Sequence, residues 1–263
     1  MNKRIALVTG GSSGIGRSLC LKLADQGYQV FSASRNKSQP DNMSEITQIS
    51  VDFSSPEQTI CFAQEFIDQY GVPDLLINNA GYGAFYEWAE FPDFEINNQI
   101  EVLFSAPVRL CRIIAPSMQK ECRGLILNLS SIATLYPLPY MPLYNAGKSA
   151  LSSFTESMML EYRNFPKFID FRMGDVRTGF NNSARRQKTM NQSMNSSWAQ
   201  IEKQLNDSIP VETAVVQIFA RIKRGRSGTF FGGSFFQRIV LPVVFLILPN
   251  RLRSLLIKIW YSY

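Results

Sequence analysis

Histidine is absent from the whole 263-residue chain. Its absence excludes Ser-His-Asp triads, Cys-His dyads, HExxH zinc sites and any imidazole base. Catalysis must therefore use carboxylates, Lys, Tyr, Ser, Cys or a cofactor, and we predict no metal site. The composition is otherwise ordinary, with 45% apolar and 18% charged residues. That balance is typical of a soluble globular protein and excludes disordered, collagen-like and multi-span membrane chains.

Cysteine is sparse, and the four thiols form no CxxC pair. All four lie in helix-like stretches, so we interpret them as buried core thiols in a reducing compartment. The first strand begins within a few residues of Met1, and we expect no secretory leader. We predict a cytoplasmic protein, with peripheral contact to a membrane as an alternative. The cysteines are Cys20, Cys61, Cys111 and Cys122.

Acidic residues are scarce in the C-terminal third. Residues 1–178 carry 15 of the 27 Lys and Arg and 18 of the 21 Asp and Glu, whereas residues 179–263 carry 12 and 3, a balance of +9. Such a balance suggests a membrane surface or an anionic acyl carrier as neighbour, or simply a solvated basic face. The short basic cluster Arg185, Arg186 and Lys188 lacks interleaved aromatic residues, so we predict no nucleic-acid partner.

Short apolar runs alternate with amphipathic patterns over the first two thirds of the chain. This alternation predicts an α/β fold: a single Rossmann-type, doubly wound parallel sheet with helices on both faces. Strands are expected at Ile5–Val8, Tyr28–Ala33, Ile46–Val51, Leu75–Ile77, Leu125–Leu129, Ile169–Met173 and Thr229–Phe231. Helices are expected at Gly16–Gln26, Pro56–Tyr70, Phe94–Cys122, Asn145–Phe165 and Pro210–Lys223.

We expect one domain over residues 1–233, with a substrate-binding loop region at 179–209 that is rich in Asn, Ser and Gln. Residues 234–263 form an apolar, basic tail. Its apolar run Ile239–Leu248 contains Pro242 and is too short to span a bilayer. Beyond it, apolar residues recur at helical spacing among Arg and Lys, a pattern that suits a membrane interface, docking on the protein or oligomerisation.

A glycine-rich turn follows the first strand and opens a helix, reading Thr9-Gly10-Gly11-Ser12-Ser13-Gly14-Ile15-Gly16. Glycines permit a tight turn and close approach to a pyrophosphate, and the N–H groups of the helix start then face the phosphates. The second strand ends at Ser34-Arg35, where an NAD site usually has Asp or Glu. A guanidinium suits a 2′-phosphate, so we predict NADPH/NADP+ as the cofactor, with Lys37 close by.

Three further signals lie in order along the chain: Asp52 after the third strand, Asn78-Asn79-Ala80-Gly81 after the fourth, and Ser131 before Tyr144 and Lys148. Residues i and i+4 share a helix face, so the tyrosine hydroxyl and lysine ammonium can point into one site. A nearby cation favours the phenolate, and we therefore expect a lowered pKa for Tyr144.

In these motifs the chain resembles the short-chain dehydrogenase/reductase family, over about residues 3–232. The resemblance implies that Tyr144 is the catalytic acid/base, that Ser131 orients the substrate carbonyl and that Lys148 binds the nicotinamide ribose. It also implies dimers or tetramers formed through the long helices. The cofactor site would comprise Gly10, Ser12, Ser13, Gly14, Ile15, Gly16, Ser34, Arg35, Asp52, Phe53, Asn79, Ala80, Gly81, Tyr144, Lys148, Val176 and Thr178.

The chain departs from the family pattern at two positions. Met173 replaces the usual proline before Gly174, where we expect a local backbone adjustment. Leu103 stands where the family has an asparagine of its proton relay, and leucine cannot hydrogen-bond. Asn97 and Asn98 are nearby but out of register. The relay is therefore either rearranged in a working reductase or weakened in a cofactor-binding regulator or scaffold.

The expected substrate pocket is apolar and aromatic, which suits a lipophilic ketone or aldehyde. Acyl, sphingoid, steroid-like and polyketide carbonyls are all compatible with it; ordinary core packing is the alternative interpretation of these side chains. The predicted substrate residues are Ser131, Tyr82, Phe85, Leu138, Tyr140 and Phe180.

Overall fold

The structure of the protein, a computed structural model, describes residues 3–36, 45–180 and 184–261. Seven of its strands are β1 (Ile5–Thr9), β2 (Gln29–Ser34), β3 (Ile46–Ser50), β4 (Leu75–Asn78), β6 (Leu125–Ser131), β7 (Lys167–Met173) and β11 (Gly228–Phe231). They form one parallel sheet in the order β11-β7-β6-β4-β1-β2-β3. Two short pairs lie outside it: β5 (Ala84–Phe85) with β9 (Arg185–Arg186), and β8 (Val176–Arg177) with β10 (Ile209–Pro210).

Helices cover both faces of the sheet. The α-helices of the described residues are α1 (Gly14–Asp25), α2 (Pro56–Tyr70), α3 (Asp93–Ile100), α4 (Ala106–Lys120), α5 (Pro142–Glu161), α6 (Gln192–Asn206), α7 (Val211–Arg224), α8 (Leu241–Ile247) and α9 (Asn250–Trp260). Alternate strand residues face opposite layers: Ala6 and Val8 pack with α1 and α7, whereas Leu7 packs with α2 and α4. The doubly wound α/β fold predicted from the sequence is confirmed.

Side-chain chemistry sets the ends of α2. The Ser55 hydroxyl accepts a hydrogen bond from the Gln58 N–H at 3.2 Å, and Pro56 occupies the first helical turn, where its missing N–H costs nothing. Gly71 follows the helix with φ of +89°, a conformation that favours glycine. The next strand, β4, can therefore begin only four residues later at Leu75.

Two structural predictions were wrong. The helix expected over Phe94–Cys122 is divided into α3 and α4 by a π-helical turn at Glu101–Ser105, which changes the register of the side chains within it. The four cysteines are free, but only Cys20 and Cys111 are buried. Cys61 and Cys122 are exposed because they lie on the solvent side of α2 and just beyond α4.

After β11 the chain forms a π-helical turn (Phe236–Val240), α8 and α9. Only a few side chains of this tail are buried, among them Phe245, which contacts Tyr136, and Tyr261, which packs against α6. No helix within the described ranges has both the length and the apolar character needed to cross a membrane.

Candidate active site

A cavity of about 530 Å³ opens at the carboxyl edge of the sheet, where the turns after β1, β2, β3, β4, β6 and β7 meet. Every residue predicted for the cofactor site lines it. Gly10 and Gly14, in the turn between β1 and α1, have φ of +68° and +51°. A Cβ on Gly16 would lie 2.2 Å from the Gly10 carbonyl oxygen, so only glycine allows this close packing. The helix start then faces the cavity with its N–H groups, as a phosphate site requires.

Asn79 holds this turn from the neighbouring strand. Its side-chain Nδ2 donates to the carbonyl oxygens of Thr9 and Gly10 at 2.9 and 3.1 Å. In return, the Thr9 hydroxyl accepts hydrogen bonds from the N–H groups of Asn79 and Ala80, both at 3.0 Å. The Asn-Asn-Ala-Gly segment therefore fixes the floor of the cavity as well as lining it.

The far end of the cavity is lined by Ser34, Arg35, Asp52 and Phe53. Burial alone would raise the pKa of Asp52, but hydrogen bonds from the Ser54 N–H and hydroxyl at 3.0 and 2.8 Å, together with the charge of Arg35, hold it below its usual value. Among the described residues at the end of β2, Ser34 and the exposed Arg35 occupy the place where a ribose-binding carboxylate would follow the strand. Lys37 lies outside the described residues.

Ser131, Tyr144 and Lys148 all line the middle of the cavity. Ser131 ends β6, and the other two lie one turn apart on α5. Burial raises the pKa of Tyr144, and a hydrogen bond with Ser131 only partly offsets this effect. The expected lowering of its pKa was therefore wrong, because desolvation outweighs any stabilisation of the phenolate.

Lys148 is also desolvated, with its side chain almost fully buried. Its Nζ donates to the Leu129 carbonyl oxygen at 2.6 Å, and burial lowers the lysine pKa to about 8. Leu103, in the π-helical turn, is fully buried. A Cβ on Gly81 would lie 3.0 Å from Leu103 Cδ2 and 3.6 Å from Lys148 Nζ, so the leucine side chain and the ammonium both pack close to this glycine. Neither Asn97 nor Asn98 lines the cavity.

The other half of the cavity is largely apolar. Tyr82, Leu138 and Phe180 line it as predicted residues of the substrate side. Phe85 and Tyr140 do not, which corrects their assignment: the Phe85 ring is fully buried behind the wall, 5.2 Å from the Tyr140 ring and 5.0 Å from that of Trp198. Further lining residues that sequence reasoning missed are Met141, Asp175, Ile201, Gln204 and Leu205.

A buried ionic cluster beside the cavity was also missed. Glu95 of α3 is fully buried, forms an ion pair with Arg185, and accepts a hydrogen bond from the Tyr82 hydroxyl at 2.8 Å. Burial and the Glu95 carboxylate raise the pKa of Tyr82 to about 12. Arg185 lines the cavity and lies over the Tyr82 ring, 5.0 Å from its centroid. The ion pair between Glu95 and Arg185 thus helps to hold strand β9 against β5 beside the cavity.

The whole arrangement matches a known family. The short chain dehydrogenase family model matches residues 4–189, more than half of the chain. The chain belongs to the short-chain dehydrogenase family. The glycine turn, the Asn-Asn-Ala-Gly segment and the Ser131, Tyr144 and Lys148 side chains all lie within the matched residues.

Two curated relatives resemble the chain over about two thirds of its length. The 3-ketodihydrosphingosine reductase of Bacteroides thetaiotaomicron is 33% identical over 181 residues, covering 68% of this chain and 66% of the relative. The very-long-chain 3-oxoacyl-CoA reductase of Anas platyrhynchos is 30% identical over 172 residues, covering 60% and 55%. The matched region thus spans less than two thirds of either relative.

Solved structures share the fold more completely. A short-chain dehydrogenase from Streptomyces avermitilis superposes with a TM-score of 0.79 over 98% of this chain and 94% of its own, at 22% identity. The L-sorbose reductase of Gluconobacter frateurii, complexed with NADPH and L-sorbose, gives a TM-score of 0.61 at 28% identity, over 67% and 71% of the two chains.

Proposed function

We propose that the protein is an NADPH-dependent reductase of lipophilic ketones or aldehydes. The observation that carries the proposal is that Ser131, Tyr144 and Lys148 line one cavity with the glycine turn between β1 and α1. A dinucleotide held at that turn would extend towards the tyrosine and the serine. The Arg35 guanidinium, at the place of a ribose-binding carboxylate, favours NADPH over NADH because it can pair with a 2′-phosphate.

NADPH, when bound, supplies the hydride that the carbonyl carbon of the substrate accepts. Ser131 holds the carbonyl oxygen, and Tyr144 donates its phenolic proton to that oxygen, so that the product is an alcohol. Because burial raises the pKa of Tyr144 above its ordinary value, the phenol is protonated at neutral pH, as a proton donor must be. Lys148 remains cationic below about pH 8 and holds the nicotinamide ribose through its ammonium.

The apolar cavity wall supports the proposed lipophilic substrate class. Leu138, Met141, Phe180, Ile201 and Leu205 offer apolar surface beside the catalytic groups. An acyl or sphingoid carbonyl fits such a wall, and so does a steroid-like or polyketide carbonyl. The two curated relatives are named for lipid carbonyl substrates, which favours the first pair.

The test is NADPH oxidation, followed by its near-UV absorbance, with ketones of increasing chain length and with NADH in parallel. The proposal expects turnover that prefers NADPH and rises with chain length. Turnover of short polar ketones alone would contradict the lipophilic substrate class.

Leu103 favours one alternative, a cofactor-binding regulator or membrane-associated scaffold with weakened chemistry, because leucine cannot pass a proton. This alternative predicts tight NADPH binding and no turnover of any carbonyl compound tested. It also predicts that Tyr144→Phe leaves NADPH binding unchanged. Turnover that is abolished by Tyr144→Phe excludes it.

We further propose that the tail carries this cytoplasmic enzyme, as a homodimer or homotetramer, to an anionic membrane surface. Exposed apolar side chains recur at helical spacing along both tail helices, and no acidic residue follows Glu212 while eight basic residues do. An anionic acyl carrier would need the cations but not the apolar face, so a lipid surface is favoured. The exposed apolar residues are Phe235, Phe236, Ile239, Val243, Leu246, Ile247, Leu252, Leu255, Leu256, Ile259 and Trp260.

Vesicle co-sedimentation tests this surface with a matched pair of variants. Val243 on α8 is 52% exposed and Val216 on α7 is 63% exposed. Val243→Asp should weaken binding to phosphatidylglycerol-containing vesicles about tenfold, whereas Val216→Asp, with the same change in charge, should have a much smaller effect. Equal effects of the two variants, or no binding by the wild type, would contradict membrane docking.

A further inference from the structure

Asp175 is the one acidic side chain that the described residues contribute to the substrate half of the cavity; the other acidic lining residue, Asp52, lies at the cofactor end. Asp175 follows β7 by two residues. Because Met173 of β7 is in register with Ser131 of β6, Asp175 is only two residues, roughly 7 Å of extended chain, beyond the level of the catalytic serine. Asp175 lines the same cavity as Ser131 and Tyr144. Burial, and in addition the charge of Asp175, raises the pKa of Tyr144.

Gln237 holds Asp175 in place. Its Nε2 donates to Asp175 Oδ2 at 2.5 Å, and its Oε1 accepts from the Asp175 N–H at 3.2 Å. The same Oε1 accepts from the Ser234 N–H at 3.3 Å. A single amide therefore fixes both the backbone and the carboxylate of Asp175. Because this amide is neutral, it orients the carboxylate without balancing its charge.

The charges around the cavity leave Asp175 without a cation. Arg185 forms an ion pair with Glu95, the Lys148 ammonium donates to the Leu129 carbonyl oxygen, and Arg35 lines the cofactor end. Among the ion pairs of the described residues, none includes Asp175. A carboxylate in an apolar wall is costly unless a cation or further hydrogen bonds pair with it. Burial accordingly raises the pKa of Asp175.

We propose that Asp175 binds a cationic group of the substrate, so that the preferred substrate is a lipophilic ketone with a protonated amine beside its carbonyl. That the substrate is a ketone rests on the proposed reductase function. That it carries an amine rests only on the residues that line the cavity. The ammonium pairs with the carboxylate, while the apolar wall of Leu138, Met141 and Leu205 takes the alkyl chain. Neutral ketones lack the charge-assisted hydrogen bond, and anionic acyl carbonyls meet repulsion.

Calorimetric titration of the NADP+-loaded protein tests amine recognition without any turnover. The probes are dodecylamine and dodecan-1-ol, which share a chain and differ in charge. Asp175→Asn, which keeps an oxygen for the Gln237 amide, should weaken dodecylamine binding about tenfold or more, because the variant loses the charge-assisted hydrogen bond to the ammonium. Dodecan-1-ol binding should change far less. Asp207→Asn, at an exposed position after α6, controls for net charge and should change neither affinity.

Equal weakening of both probes by Asp175→Asn, or no weakening of either, would overturn the inference. Turnover provides the second arm, with 2-aminododecan-3-one and dodecan-3-one as substrates. The wild type should prefer the amino ketone, and Asp175→Asn should reduce the ratio of their kcat/KM values about tenfold. If neither ketone is reduced but the amine still binds through Asp175, the reductase function fails and the site stands. If wild type and variant reduce both ketones with the same ratio, Asp175 is not the specificity residue.

Discussion

Replacing Lys148 by methionine should stabilise the cofactor-free protein while abolishing its activity. The ammonium is almost fully buried, and burial lowers its pKa from 10.5 to about 8. One pKa unit corresponds to about 1.4 kcal/mol, so the charged lysine costs the folded state about 3 kcal/mol. Between pH 8 and 10.5 the unfolded chain binds the extra proton, and the wild type therefore gains stability as the pH rises through that window.

Urea unfolding of the cofactor-free proteins measures this effect. At pH 7, Lys148→Met should be more stable than the wild type by about 3 kcal/mol, and the difference should shrink to about 1 kcal/mol at pH 9.5. Lys120→Met, at the exposed end of α4, is the control and should show no such pH-dependent difference. A variant that is less stable than the wild type at pH 7, or a difference that stays constant with pH, would refute the buried ammonium as a source of instability.

Three other substitutions test separate parts of the site. Arg35→Ala should raise the KM for NADPH about tenfold or more and leave that for NADH unchanged in steady-state assays, because only NADPH carries the 2′-phosphate. Leu103→Asn should lower the free energy of unfolding by about 2–4 kcal/mol in urea unfolding, because it replaces a fully buried leucine with an amide that must find hydrogen-bond partners in the core. Glu95→Gln should cost about 2 kcal/mol in urea unfolding and raise the KM for the ketone, because Arg185 loses its buried partner.

The parallel sheet could be predicted because its strands are apolar along their length and each is followed by an amphipathic helix. The cofactor half of the site could also be predicted from the sequence, because short contiguous motifs form it. These are the glycine turn after β1, the dipeptide at the end of β2 and the short motifs after β3 and β4. These lie at the carboxyl edge because parallel strands all point that way.

The substrate half was less predictable because contacts between distant residues form it. Glu95 occupies the first turn of α3, where an acidic residue ordinarily favours the helix dipole at the surface, yet its partner Arg185 is 90 residues away. The division of the long helix at Glu101–Ser105 has no composition signal. Phe85 and Tyr140 belong to a core cluster that only the packing of α6 and Tyr261 against them defines.

The pKa values of Tyr144 and Lys148 depend on their burial and could not be predicted from their spacing in the sequence. The four-residue interval between Tyr144 and Lys148 correctly puts both groups in one cavity, but their pKa values depend on how much water each retains. Desolvation raises the pKa of the tyrosine and lowers that of the lysine, the reverse of what an exposed, strongly coupled pair would show.

The most direct test of the central claim is the rate of NADPH-dependent ketone reduction by the wild type and Tyr144→Phe, measured alongside NADPH binding. Tyr144 is the proton donor in this account, so its loss should reduce turnover at least about a hundredfold while NADPH binding persists. The phenyl ring keeps the packing against Phe180, whose ring centroid is 5.9 Å away, so a collapse of the cavity should not mimic the effect. Turnover at the wild-type rate in Tyr144→Phe would contradict the assigned chemistry.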